Sequence, residues 1–356
     1  MNKGIILLFS CLFTCIGSVL AQNDTIKFEE EDFSQYGNVE ATTPTKRFCS
    51  SKVLGLSPSK LISLGFDYQG SSTITAGGFA GFLEEDANIN FNYGKRFAAN
   101  LPVISNTKLL LSLGLTWWDN NYSFKNKEDL KNPFLKTLND NGLRTTGVNI
   151  TLFKPLNELW YVLAQSSFDF NGDFRANQLP ASNQLKVSAT ALAGKKVHDR
   201  RMWGVGISRT YRAGEQALFP VFLYNYTFPN KKWGIEALLP ARANVRYTVN
   251  ARNLIFAGFE LEGNSYRLNN LMDATSNLPY KALELRRSEF RPRITYEFSL
   301  YKFIWVSIQV GYRYNFRLNM DDGEFYRSPG NDTPYITTNN LRNTLYTGIS
   351  LNLVSP

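Results

Sequence analysis

Histidine and cysteine are nearly missing from this sequence. Its 356 residues hold one histidine, His198, and three cysteines, of which Cys11 and Cys15 fall within the first 21 residues. Removal of those residues as a signal would leave Cys49 alone, which excludes an intrachain disulfide and a cysteine-based metal site. One histidine and one cysteine also supply no zinc ligand set, so neither a metal nor a cofactor is expected. A hydrolase would usually need histidine as its general base. His198 lies in Lys196-Val197-His198-Asp199-Arg200, where successive side chains of extended backbone point opposite ways. It reads as a solvated turn residue, and the chain is expected to be no enzyme.

Long hydrophobic runs are also missing. Past the N-terminus there is no stretch of about 18 apolar residues, which excludes an internal transmembrane helix. Mean hydropathy is −0.26. The chain is nonetheless 43% hydrophobic, with 26 Phe, 18 Tyr and 6 Trp, so its apolar side chains must be interleaved with polar ones. No glycine-rich phosphate loop precedes a helix, and Met320-Asp321-Asp322-Gly323-Glu324 lacks the ligand spacing of a calcium loop.

What is present begins with an export signal. Lys3 supplies the positive end, 4–19 is apolar, and Val19 and Ala21 fit a small-residue cleavage site. Residues 1–21 are therefore expected to be a signal peptide and Gln22 the mature start. Export removes nucleic acid as a partner despite the net charge of +9. Basic residues on an exported surface more naturally meet lipopolysaccharide phosphates or anionic solutes. Residues 22–58 carry the acidic run 29–32 and Ser/Thr/Pro-rich stretches without periodicity. They read as a periplasmic leader.

From Lys60 onward the chain alternates. In 303–317 the residues Ile304, Val306, Ile308, Val310, Tyr312, Tyr314 and Phe316 share one face of a strand, with Ser307, Gln309, Gly311 and Arg313 on the other. About fourteen such segments of roughly ten residues follow one another, the length a tilted strand needs to cross hydrocarbon. Short connections such as 154–158, 197–201 and 300–302 alternate with long ones such as 119–141, 269–280 and 320–341. That asymmetry, with aromatics gathered at strand ends, marks an all-β fold: a transmembrane antiparallel β-barrel spanning 59–356, with about 14 strands (12–16 tolerated). Pro220 and Pro292 fall inside strands, where a bulge or strand end is expected. A soluble β-sandwich, its apolar faces buried between two sheets, is the competing architecture.

The segment 233–247 (WGIEALLPARANVRY), the closing strand 345–354 and the signal ending Leu20-Ala21-Gln22 resemble an uncharacterised outer-membrane β-barrel family of Gram-negative bacteria. The resemblance spans 59–356 and implies a barrel of unknown function in the outer membrane. Its partners would be outer-membrane lipid and lipopolysaccharide, with the barrel-assembly machinery during insertion. Terminal strands of such proteins end in an aromatic residue, whereas this one ends Leu351-Asn352-Leu353-Val354-Ser355-Pro356. No functional residue carries over.

Charge on the inward faces is concentrated in the later strands: Glu236, Arg246, Glu260, Glu262, Arg291, Arg293, Glu297, Arg313 and Arg317. Earlier strands offer mainly Asn, Ser, Thr and Gly. Two roles compete for this wall. The charges pair across strands and fill the lumen, or they line a water-filled path and select a small solute. The first makes a plugged barrel that serves structure or assembly. The second makes a channel or a binding barrel.

Overall fold

The computed structural model describes residues 48–211, 214, 216–274, 277–280, 282–323 and 334–355. The expected signal peptide and leader residues 22–47 lie outside the described residues. The strands are β1 (Lys60–Gln69), β2 (Ser72–Ala76), β3 (Glu85–Ser105), β4 (Leu110–Phe124), β5 (Leu143–Pro155), β6 (Trp160–Gly172), β7 (Leu185–His198), β8 (Arg201–Thr210) and β9 (Ala217–Thr227). They continue with β10 (Trp233–Leu239), β11 (Arg242–Asn250), β12 (Asn253–Arg267), β13 (Glu284–Tyr301), β14 (Ile304–Asp321), β15 (Thr337–Thr338), β16 (Asn340–Leu341) and β17 (Thr344–Val354).

Fourteen of these close into an antiparallel barrel. β1 pairs with β3, each strand from β3 to β14 pairs with the next, β14 pairs with β17, and β17 returns to β1. The short strands β2, β15 and β16 decorate one end. Closure leaves no unpaired edge, which a wall surrounded by lipid requires. All fourteen alternating segments correspond to wall strands.

The alternation does what its period dictates. Leu64, Leu113, Ile150, Ile207, Val245, Ile294, Ile308, Val310 and Ile349 face outward and exposed, forming a belt around the wall. Aromatics flank it. Phe66 stacks on Tyr93 and Tyr68 on Phe91 toward one end, and Trp233 meets Tyr247 toward the other. A soluble sandwich would have covered these faces.

The short connections are tight, and the one after β3 is no exception. β3 reaches Ser105, which leaves a turn closed by Asn106 N–H on the Leu109 carbonyl at 3.0 Å. β9 runs through Pro220 without a shift in pairing, so the bulge expected there is absent. Pro donates no ladder bond, but one missing bond near a strand end is tolerated. At Pro292 the pairing with β14 skips two positions between Phe290 and Arg293 and keeps its register. The β13–β14 shifts lie instead between Ser288 and Glu289 and between Ser299 and Tyr301.

A fourteen-stranded wall encloses more space than its own side chains fill. Two parts of the chain enter that space. At the outer end, β12, β13 and β14 run past their neighbours and lean across the mouth. Arg267 of β12 makes a parallel pairing with Gly172 of β6, a strand of the opposite wall. A helix, Pro133–Asp140, packs beneath. Asn132 caps it by accepting from Phe134 N–H at 3.0 Å, Pro133 sits in its first turn, and Gly142 ends it with φ +67. Ile74, Ile89, Tyr122, Phe134, Leu138, Leu271, Leu285, Leu318 and Met320 form the apolar core of this cap.

At the inner end, residues 48–58 fold into the mouth. Cys49 and Val53 pack on the inward side chains Phe153, Tyr161, Leu192, Met202 and Val221. Backbone hydrogen bonds join Cys49 to Asn157 and Leu54 to Asp199 in the inner turns. Lys196 Nζ donates to Ser50 Oγ at 2.7 Å and to the Lys52 carbonyl at 2.8 Å.

Candidate functional site

Between the two plugs the barrel interior is charged. Strand parity sends Glu289, Arg291 and Arg293 of β13 inward. Their register partners across β12 are Glu262, Glu260 and Gly258, in adjoining pairs. Arg293 pairs with Glu260, and Arg291 with Glu262. Arg291 Nε also meets Glu289 at 2.7 Å, and Glu289 pairs with Arg287. Across the seam, Arg96 of β3 meets Asp67 of β1 at 2.8 Å and Glu262 at 3.2 Å. Arg313 of β14 lies 3.6 Å from Asp67 and donates to Gln69 at 3.2 Å. The guanidinium of Arg96 covers the Trp118 ring at 4.1 Å, and that of Arg313 lies 4.9 Å from the Tyr346 ring.

The remaining candidates form separate pairs nearer the inner end. Arg246 Nε meets Glu236 at 3.0 Å, and its Nη2 donates to Thr227 Oγ1 at 2.9 Å. Glu236 accepts the N–H and the hydroxyl of Ser57 at 3.2 and 2.9 Å, which fastens the inner plug to the wall. Glu297 meets Lys60 at 2.6 Å and accepts from Ser307 at 3.0 Å. A cavity of about 160 Å³ opens beside Arg246, bounded by Gly55, Leu56, Pro58 and Trp305.

Eight of the nine expected lumen residues therefore sit in interior ion pairs. Arg317 does not share their face. The shift between Ser288 and Glu289 inserts one extra residue, Phe316, into β14, so parity flips beyond it. Leu318 and Met320 take the inner face, and Arg317 lies half-buried opposite Ser288. On that other side of the leaning strands lies a second buried group. There Glu284 pairs with Lys186 and accepts from Ser265, and Arg286 meets Asp321 at 2.9 Å.

Inward charge is concentrated on the later strands, and the earlier ones add to it. Asp67 and Arg96 come from β1 and β3, which follow β17 around the closed wall. Arg96 was legible, since it continues the parity of Asn92 and Gly94. Arg287 and Glu289 were legible in the same way, four and two positions before Arg291, but a strand taken to begin near Phe290 left them out. Trp118 shares the inward parity of Gly114 and Thr116.

The chemistry of this interior is pairing. Its carboxylates stand beside guanidinium groups. His198 is exposed at an inner turn, where its Nδ1 accepts from Arg200 N–H at 3.2 Å.

A family model described as a domain of unknown function, DUF6268, matches residues 105–352, and the chain belongs to that family. No curated protein matches it. Among solved structures it is similar to an outer-membrane channel from Pseudomonas putida F1, at 11% identity and a TM-score of 0.41, with 84% of this chain and 97% of that one covered. A FadL homologue from Pseudomonas aeruginosa aligns at 10% identity and a TM-score of 0.38, covering 84% of this chain and 91% of that one.

Proposed function

We propose that this member of the family is a non-enzymatic barrel of the outer membrane, plugged by its own side chains and serving the envelope as a structural or partner-holding element. The exposed apolar belt with aromatic flanks supports the membrane location, with lipid and lipopolysaccharide as its surroundings and the barrel-assembly machinery as its route there. One observation carries the plugged reading: Glu289, Arg291 and Arg313 are at most 2% exposed inside a fourteen-stranded wall. Charges lining a water-filled path would be wet. Carboxylates and guanidinia are also mixed here, which suits pairing better than selection of one ion sign.

Passage or binding of a small solute is the second reading, and one feature favours it. The inner plug is no part of the wall and is held without covalent links, by the apolar packing of Cys49 and Val53 and by polar contacts at Asn157, Lys196, Asp199 and Glu236. A segment attached in this way can leave without breaking the barrel.

Conductance of the refolded chain in a planar bilayer separates the two, with Arg293→Glu and Arg313→Glu alongside. The plugged reading expects a silent bilayer from protein that still migrates as a compact heat-modifiable barrel. Discrete steps whose ion selectivity moves with those substitutions overturn it and make the chain a pore.

A further inference from the structure

The interior pairs leave one region with hydrogen-bond donors to spare. Register sets Gln69 beside Asn92, Gly94 beside Asn120, and Arg96 beside Trp118, all on the inner surface of β1, β3 and β4. Arg287 and Arg291 reach toward them from β13, with their guanidinium carbons 6.0 and 5.5 Å from the Trp118 ring. Each of these side chains except Arg96 is at least nine-tenths buried. Yet Gln69 Nε2, Asn92 Nδ2, Trp118 Nε1, Arg291 Nη2 and Arg287 Nε and Nη1 have no hydrogen-bond acceptor among the described residues, while Arg287 Nη2 meets Glu289. The unpartnered acceptors beside them are fewer, Asn92 Oδ1 and Asn120 Oδ1.

Charge agrees with this excess. Gly94 lets Asn120 Oδ1 and Trp118 Nε1 approach the wall closely, since a Cβ there would stand a tight 3.2 Å from both. The connected network contains Arg96, Arg287, Arg291, Arg293 and Arg313 against Asp67, Glu260, Glu262 and Glu289, one positive charge over balance. A buried donor without an acceptor is costly, and a buried uncompensated charge more so. Neutral water relieves the first and leaves the second.

We infer that the barrel interior holds a small monovalent anion, a halide or a compact carboxylate such as formate, between Arg287, Arg291 and Trp118, with Asn92 and Gln69 completing its donor shell. The anion is a fixed part of the plug. This inference goes beyond the plugged reading and does not need the conductance result: the site is a property of the interior whether or not ions cross.

The refolded full chain in detergent micelles, exchanged into sodium gluconate, tests it. Sodium bromide and sodium formate are titrated at constant sodium, with sodium sulfate as the divalent control, and the thermal unfolding midpoint is read. The midpoint should rise and saturate with bromide or formate, as binding to the native state alone requires, and sulfate should not reproduce the rise. Crystals grown in bromide should show an anomalous peak between Arg287 and Trp118. Gly94→Ala, whose methyl group would press on Trp118 Nε1 and Asn120 Oδ1 and push the indole donor aside, should weaken the apparent affinity about tenfold or more, the equivalent of one lost charge-assisted contact. Arg287→Gln should abolish saturation. If that variant does not fold, Gly94→Ala and the bromide peak still decide. A folded wild type whose midpoint ignores the identity of the anion, or crystals with water alone at the site, overturns the inference.

Discussion

Replacing Glu289 by glutamine asks whether the lumen is dry. The Glu289 carboxylate pairs with Arg287, meets Arg291 at 2.7 Å and lies 3.9 Å from Arg313 Nε, with its side chain 1% exposed. Glu289→Gln keeps the shape and one acceptor but removes the negative charge among three buried guanidinia. In a dry interior, removing one partner of a buried pair costs about 3–5 kcal/mol. The surviving amide acceptor puts the expected loss near the lower end, about 3 kcal/mol. In a water-filled lumen the same pairs would be screened and worth about 1 kcal/mol or less. Lys196 and Asp199 supply the standard for comparison, 3.6 Å apart with the Asp199 side chain 89% exposed. Asp199→Asn should change stability by no more than about 0.5 kcal/mol. Urea unfolding of the refolded barrel in micelles, followed by tryptophan fluorescence and extrapolated linearly, measures both. Equal small losses would refute a dry lumen. A further check is the double variant Glu289→Gln with Arg287→Met. It should recover part of the loss, because an unbalanced guanidinium is removed with its partner.

Three other outcomes are expected. Val310 lies midway along the outward face of β14, so Val310→Arg should lower the stability of the barrel in a bilayer by roughly 2–4 kcal/mol; equal stability of variant and wild type in lipid would count against a membrane-facing wall. Asp173, in the outer connection after β6, accepts the N–H groups of Asn269, Asn270 and Leu271 at 2.9–3.2 Å, and burial outweighs these bonds and pushes its pKa up to about 6. The native state then holds this proton more tightly than the unfolded chain, so the Asp173 contribution is full below about pH 4 and fades as pH rises through about 6. The wild-type minus Asp173→Asn stability difference should fall across that window, and a rise would contradict it. Cys49 is buried in the inner plug, where burial pushes its thiol pKa up. A maleimide should label it slowly in folded protein and quickly in urea, and equal rates would mean that the plug does not stay seated.

Much of this fold is legible in the chain because strand parity is strict. Ile304 to Phe316 alternates in sequence, and Ile308, Val310, Tyr312, Tyr314 and Phe316 are exposed on the outer wall. Arg291, Arg293 and Arg313 lie inside because they take the intervening positions. Parity fails where an extra residue enters. Nothing local distinguishes Arg317 from Arg313, and only the pairing of Ser288 with Arg317 followed by Glu289 with Asn315 reveals the flip. Segment limits are the second weakness. β13 begins at Glu284, and the six residues before Phe290 contain Arg287 and Glu289, the centre of the buried network.

By itself, then, the sequence determined the class of the molecule. Period-two alternation over about ten residues, repeated fourteen times, suits a wall with an apolar outer face and a polar inner one. Scarce histidine and cysteine withheld the usual ligands and bases. What lies inside the wall was decided by tertiary structure. Closure sets β17 beside β1, which brings Asp67 within reach of Arg313 although 246 positions separate them. The lean of β12 to β14 across the mouth, and the return of 48–58 into the opposite end, bury charges that periodicity alone would leave wet. Parity is a local property of the backbone, whereas the filling of a lumen depends on contacts between residues far apart in the chain.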